Sequence, residues 1–207
     1  MPIKMPQSFS LLMTAILLLS ACNPSFVPVN KPTPAQASDM LKALQQNHQQ
    51  HPIVPSESDT DFAIDGVGYF AVLDHRNERL LFTRNGRFQR NANGQLITPE
   101  GFDLQPPITV PENTALVLSE SGMIRLQSQD GASTEAGQLN LTRFLTPESL
   151  KAVEGLPGYF EPVPVGAPGV FAPEVGEPAQ NGYGRVLNRL LEDTSQPLQA
   201  PADAPGA

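Results

Sequence analysis

The stretch from Asp61 to Gln105, DFAIDGVGYFAVLDHRNERLLFTRNGRFQRNANGQLITPEGFDLQ, admits few folds, because short apolar runs alternate in it with glycine-centred turns. Phe62 and Ile64 alternate with Ala63 and Asp65, Tyr69 to Leu73 is continuously apolar, and Leu80-Leu81-Phe82 leads into Asn85-Gly86. Asn-Gly between two strand-like runs is a strong hairpin signal, since both residues tolerate positive φ and a type I′ turn matches strand twist. Asn93-Gly94 and Glu100-Gly101 repeat the beat and leave Phe88 and Leu96-Ile97 on the strands between. The stretch therefore predicts a β meander that forms early by local pairing. Its expected core is Phe62, Ile64, Phe70, Val72, Phe82, Phe88 and Leu96, joined by Leu139 and Leu141 from further along the chain.

The N-terminus reads as a leader. Lys4 supplies a positive charge, Phe9 to Leu19 is apolar, and Leu19-Ser20-Ala21 places small residues before Cys22. That run of about eleven residues is too short to cross a hydrocarbon core of roughly 30 Å, so a cleaved signal fits it better than a spanning helix. The Leu-Ser-Ala-Cys ending resembles the lipobox of bacterial lipoproteins, which implies that Cys22 is acylated and becomes the new N-terminus. Asn23 after it, in that resemblance, points to the outer membrane.

Removing Lys4 with the leader leaves 12 basic against 21 acidic residues, a net charge of −9. Nucleic acid and anionic membrane surfaces, both polyanions, are poor partners for such a chain. Cys22 is the one cysteine, so once it is lipidated no thiol is left for a disulfide or a thiolate metal site.

Four domains of sequence follow: a leader over 1–21, a lipidated tether over 22–60, a β domain over 61–195 and a Pro/Ala-rich tail over 196–207. Asn23 to Ala37 carries four prolines and reads as polyproline II, about 3.1 Å per residue and so roughly 45 Å of reach. Ser38 is the expected N-cap of a helix of about three turns, with Met40, Leu41 and Leu44 on one side and Pro52 as its stop. Beyond Pro106-Pro107, strands are expected over Ala115–Leu118, Met123–Leu126 and Gly137–Phe144, with turns at Ser121-Gly122 and Asp130-Gly131. Pro147 opens a short helix. Gly155 to Gly184 is expected to be a long loop pinned by Tyr159, Phe160, Val170 and Phe171, since an unpinned loop of that length is unusual in a compact domain.

The meander resembles a segment of the flagellar hook and basal-body rod proteins, above all the distal-rod type. The residues that carry the likeness are Ile64, Gly66, Gly68-Tyr69-Phe70 and Val72, then Thr83-Arg84-Asn85-Gly86 with Phe88. They continue through Asn93-Gly94-Gln95-Leu96-Ile97-Thr98 and Gly101-Phe102 to Gly122, Gly137-Gln138-Leu139, Leu141, Phe144 and Leu191-Glu192. The resemblance implies the rod middle domain: mainly β, short antiparallel strands and hairpins, little helix, with Gly66, Gly68, Phe70, Thr83, Arg84, Gly86, Phe88, Gly94, Leu96 and Gly101 as its structural positions. Three departures stand out. A glycine expected a few residues before Glu192 is Arg189, the Ser-Asn expected just after that glutamate is Thr194-Ser195, and the family's long C-terminal helix is replaced by a Pro/Ala-rich segment. The helix after Ser38 is either a remnant of the family's N-terminal assembly helix or a marginal helix in a linker.

No residue pattern points to catalysis. Asp59, Asp61 and Asp65-Gly66 outline a calcium loop, but counting from Asp59 puts Ala63 at the fifth position and Ile64 at the sixth, where a ligand and a glycine are needed. Asp65 before Gly66 suits a turn, and His75 sits in the charged run Asp74–Arg79 that suits a solvated hairpin tip. Neither a nucleophile elbow nor a phosphate loop is present. Two classes of function remain. One is a non-enzymatic accessory lipoprotein of the flagellar basal body at the periplasmic face of the outer membrane, docking on rod or ring proteins without polymerising. It would need no cofactor, metal, nucleic acid or small-molecule substrate. The other is a rod-type β domain recruited as a general envelope binding module for a protein or glycan unrelated to motility.

Overall fold

The computed structural model describes residues 32–47 and 50–195. The leader, Cys22, the start of the tether and the tail lie outside the described residues. α1 (Pro34–Asn47) begins four residues before Ser38. Its cap is Thr33: the Gln36 N–H donates to Thr33 Oγ1 at 3.3 Å, and Gln36 Oε1 returns to the Thr33 N–H at 3.0 Å. This reciprocal Thr-x-x-Gln box, with Pro34 at the first helical position, outranks Ser38 because it satisfies two orphan donors at once. Residues 34–37, expected to belong to the extended tether, are helical instead and rise at about 1.5 Å each.

Among the described residues sixteen short strands follow, all paired antiparallel. They are β1 (Ile53–Pro55), β2 (Phe62–Asp65), β3 (Phe70–Asp74), β4 (Arg79–Thr83), β5 (Gln89–Arg90), β6 (Leu96–Ile97), β7 (Asp103–Gln105) and β8 (Thr114–Leu118). Then come β9 (Met123–Ser128), β10 (Ser133–Gln138), β11 (Leu141–Arg143), β12 (Leu150–Ala152), β13 (Tyr159–Pro162), β14 (Glu174–Gly176), β15 (Arg185–Asn188) and β16 (Leu190–Glu192). A seven-stranded sheet in the order β12-β13-β4-β3-β7-β6-β5 forms the body, beside a three-stranded sheet β10-β9-β8. Three two-stranded ribbons, β1-β16, β15-β2 and β11-β14, close around them.

Four turns share one geometry. In Asn91–Gln95, Thr98–Phe102, Ser119–Met123 and Ser128–Ala132, the first residue and the last exchange a backbone bond of 2.9 Å while the glycine N–H returns to the first carbonyl at 2.9–3.0 Å. Gly94, Gly101, Gly122 and Gly131 sit at φ of 77°, 87°, 88° and 87°. These are three-residue hairpin loops, a type I turn closed by a left-handed residue, where glycine avoids a Cβ clash. In the first three, a side-chain oxygen of Asn91, Thr98 or Ser119 also accepts the last residue's N–H, at 3.0, 3.2 and 3.0 Å.

Asn85-Gly86 is different, and the type I′ hairpin expected there does not form. β4 and β5, which it joins, are not neighbours in the sheet, and Gly86 is absent from the left-handed glycines. Asn85 instead makes an Asx turn, its Oδ1 accepting the Arg87 N–H at 3.1 Å. The Gly86 carbonyl accepts the Phe62 N–H at 2.9 Å, which carries the chain tightly across β2.

All nine expected core residues are buried, none above 2 % exposed. Phe82 belongs to a second, smaller cluster with Ala71 and Phe144, to which Tyr69, Leu150 and Phe160 add partial cover. The long loop expected over 155–184 is a correction. β13 lies within it and pairs with β4 (Phe160 opposite Phe82), and β14 pairs with β11. Tyr159 and Val170 are buried at 2 %, whereas Phe160 and Phe171 are half-buried. Its prolines obscured the strands, yet Pro162 closes β13 beyond its last pair with β4, where no N–H is needed for that ladder. The strand expected over Gly137–Phe144 is two: Leu139 breaks away to donate its N–H to the Gly122 carbonyl at 2.7 Å, and Ser133–Ala136 extends β10 towards the preceding turn.

Candidate functional site

The family-type residues converge on Arg84, at the end of β4. Its Nε donates to Glu192 Oε2 at 2.7 Å, Nη1 to the carbonyls of Gly66 and Gly68 at 2.9 Å each, and Nη2 to the Ile64 carbonyl at 2.8 Å and Gln50 Oε1 at 3.5 Å. A guanidinium has five N–H donors, so this set uses all of them. The Arg84 and Glu192 side chains are 16 % and 3 % exposed. Matching its donors offsets the cost of holding this charge away from water, and its geometry suits a planar fork that a lysine lacks.

The neighbours of Arg84 are fixed by the same packing. Thr83 is fully buried, its hydroxyl donating to the Gly158 carbonyl at 2.8 Å and accepting the Asn85 N–H at 3.0 Å. Gly66 and Gly68 have φ of 111° and 140°, which turn their carbonyls toward the guanidinium. A Cβ on Gly66 would lie 2.9 Å from Gly184 Cα, one on Gly68 3.1 Å from the Leu141 side chain, and one on Gly86 1.7 Å from the Phe62 carbonyl oxygen. Phe88 packs against Phe70 at 5.4 Å edge-on and against Phe62 at 5.8 Å. Gly94, Leu96 and Gly101 are not at the hub. Leu96 is in the core, Gly94 approaches Val110 with room for no Cβ beyond 2.8 Å, and Gly101 faces open space.

Arg189, where the resemblance led to the expectation of a glycine, adopts φ of +59°. Its N–H donates to the Asp61 carbonyl and its carbonyl accepts the Ser56 N–H, both at 2.8 Å, so the chain must make this left-handed step between β15 and β16. A second arginine, Arg143, plays a similar part near β14. It donates to Glu174 Oε2 at 2.5 Å and to the Asn181 carbonyl at 2.8 Å, and stacks on Tyr183 at 4.4 Å. Nothing local in the sequence marks Gln50, Arg143 or Glu174 as partners, because each meets its contact across a long chain separation.

The three aspartates that outlined a calcium loop serve separate structural ends. Asp59 pairs with Arg90 at 2.8 Å, Asp61 accepts the Ser56 hydroxyl at 2.6 Å, and Asp65 pairs with Arg185 at 2.7 Å. His75 Nε2 lies 2.6 Å from Asp103 Oδ2 at the exposed hairpin tip. Beside it, Asp74 is pulled down to about 2 by the Asn77 amide first and then by bonds from Arg76 and Arg79. Burial pushes the Tyr69 phenol up, with Arg84 opposing and Glu192 adding. Burial and a hydrogen bond to Glu100 raise Tyr159 well above the usual phenol range. These shifts belong to closed contacts of the frame.

Residues 63–126 match the D1 domain of the flagellar hook proteins FlgE, FlgF and FlgG. Among individual proteins, the flagellar basal-body rod protein FlgG of Caulobacter vibrioides is 36 % identical over 140 residues, covering 66 % of this chain and 50 % of that protein. FlgG of Buchnera aphidicola from Acyrthosiphon pisum is 35 % identical over 109 residues, 51 % of this chain and 41 % of the relative. The hook protein FlgE of Helicobacter mustelae is 35 % identical over 69 residues, 33 % and 15 % of the two chains. The chain spans about half the length of the curated rod proteins it matches. Those relatives are structural rod proteins and not enzymes. Through the β domain built around Arg84, the chain belongs to the flagellar hook and basal-body rod protein family.

Proposed function

We propose that this chain is a non-enzymatic structural lipoprotein of the bacterial flagellar basal body, anchored through Cys22 at the periplasmic face of the outer membrane. Its β domain docks on rod or ring proteins as a discrete subunit and does not polymerise. The observation that carries the reading is the closure of the Arg84 hub. Every donor of the guanidinium is spent inside the domain, so the family-type motif builds a rigid frame, and recognition falls to its outer surface. Three further features support it. Leu19-Ser20-Ala21-Cys22 has the lipobox pattern, and prolines at 197, 201 and 205 occupy a spacing that a helix interior does not hold. The mature charge also disfavours nucleic acid.

The test has two arms. Cys22→Ser should move the protein out of the membrane fraction, since stable anchoring needs more than one acyl chain and the acylated cysteine supplies them. Retention after a high-salt wash would place the anchor elsewhere. A tagged chain should co-purify with intact basal bodies and stay monomeric, or a small closed oligomer, at high concentration. Fibres would overturn the non-polymerising part. Absence from basal bodies, together with normal motility in a deletion strain, would favour the general envelope module.

A further inference from the structure

The segment from Gln50 to Pro55 connects α1 to the β domain, and β1 within it pairs with β16 alone. Its leading end is held by the hub. Gln50 Oε1 accepts the Gly66 N–H at 2.9 Å and reaches Arg84 Nη2 at 3.5 Å, while the His51 N–H donates to Glu192 Oε1 at 2.8 Å. Glu192 thus divides its two oxygens between Arg84 and the incoming backbone. Behind this point the ribbon closes through the Asp193 N–H on the Pro52 carbonyl and the Ser56 N–H on the Arg189 carbonyl, both at 2.8 Å.

The attachment is shallow in apolar terms. Ile53 and Val54 are half-buried, Pro55 is exposed, and none of the three belongs to either core cluster. A two-stranded ribbon is marginal by itself in water, so β1 depends on the contacts that pin its end. Pro55, which points away from β16, deprives the free edge of a donor and discourages a foreign strand from pairing there. The hub does not depend on β1 in the same way, because Arg84 keeps Glu192 and the carbonyls of Ile64, Gly66 and Gly68 when Gln50 leaves.

We infer that residues 50–55 form a releasable strap, latched by Gln50 and His51 onto the Arg84–Glu192 pair, which can open while the β core stays folded. Opening adds six residues, about 20 Å at the rise of an extended strand, to the chain in front of the domain. A pull from the N-terminal side reaches the Gln50 and His51 contacts first and then strips the ribbon pair by pair. The use of such a strap, as a tether of two lengths, rests on the anchored reading above. Its existence does not.

Hydrogen exchange on the full chain purified in detergent tests this directly. In the unsubstituted protein the Ser56 and Asp193 amides should exchange faster than those of Val72 and Leu81 in the central sheet, because local opening precedes global unfolding. Gln50→Ala combined with His51→Pro deletes the Gln50 side-chain bonds to Gly66, Arg84 and Asp65 and the His51 N–H bond to Glu192, and leaves Arg84 and Glu192 in place. Exchange at Ser56 and Asp193 should then rise by about tenfold or more, with the central amides and the thermal midpoint unchanged. Gln50→Ala alone, which keeps the backbone donor, should give a smaller rise and provides the readout if the double variant does not fold. Unchanged exchange at Ser56 and Asp193 overturns the strap. So does a rise spread equally over the sheet with a falling midpoint, which would make β1 part of the core. The measurement requires neither acylation nor a partner, so loss of the anchored reading leaves its result standing.

Discussion

Two regions of this domain use glycine and polar residues for opposite reasons. In the hairpins from Asn91 to Ala132 every glycine answers a local demand, a left-handed φ between 77° and 88° that recurs four times, and at Gly101 and Gly131 that demand acts alone because a Cβ would meet nothing within 4 Å. Around Arg84 the constraint is long-range: Gly86 has an ordinary φ, and what excludes a side chain is the Phe62 carbonyl, 1.7 Å from where Cβ would stand. Asn85-Gly86 and Asn93-Gly94 are the same dipeptide, yet one is a close approach between strands and the other a turn. Dipeptide chemistry alone does not separate them. The residues facing the glycine do.

Breaking the hub should have the largest effect. Arg84→Ala leaves Glu192 without its cation and three inward carbonyls without a donor, and loss of one partner from a buried pair costs about 3–5 kcal/mol. The expected result is a large fall in the denaturation midpoint. Arg84→Lys should recover only part of it, because one ammonium cannot reach Ile64, Gly66, Gly68 and Glu192 together. A midpoint unaffected by either change would mean the hub is incidental to the fold.

Next comes Gly86→Ala. Even one methyl must displace β2 or the Phe70 ring, whose Cε2 is 3.0 Å from the added Cβ, and overpacking of that kind costs about 1–3 kcal/mol. The comparison position is Gly101, where a Cβ meets nothing within 4 Å but the φ is 87°. Gly101→Ala should cost about 1 kcal/mol from backbone strain alone. Asparagine, which tolerates the left-handed region, should be accepted at 101 and rejected at 86. Equal sensitivity of the two sites to asparagine would erase the distinction between local and long-range constraint.

The same distinction explains what could be read from the sequence. Period-two alternation and turn glycines placed the meander and its nine core residues, because both signals act within a few residues of themselves. The capping box at Thr33 was equally local and was readable, but Ser38 before Met40 and Leu41 competed with it. β13 and β14 were not legible: each is a short segment beside prolines, stabilised by β4 and β11 more than 30 residues away. The convergence of Gln50, Arg84 and Glu192 was likewise hidden, although Arg84 and Glu192 could each be singled out by family resemblance. Resemblance marks positions without saying which of them touch.

Arg189 gives the finest test, because there the two kinds of constraint meet. The left-handed step at φ of +59° is imposed from outside, by the Asp61 carbonyl and the Ser56 N–H that the Arg189 backbone must reach, yet its cost is local. An L-residue in that region loses about 1 kcal/mol or more relative to glycine. Glycine returns part of that advantage through the greater freedom of its unfolded chain, an effect of about 0.4–1 kcal/mol. The arginine side chain offsets little, since its one backbone contact, Nη1 to the Glu57 carbonyl, is 3.5 Å long and exposed. Arg189→Gly should therefore stabilise the domain by a few tenths of a kcal/mol, the balance of those two terms, and thermal unfolding of the paired proteins would measure it. Arg189→Val should fall by more than 1 kcal/mol, since a β-branched residue is a genuine outlier at positive φ. If glycine and valine behaved alike at 189, the step between β15 and β16 would not be the conformational constraint that the Asp61 and Ser56 bonds make it.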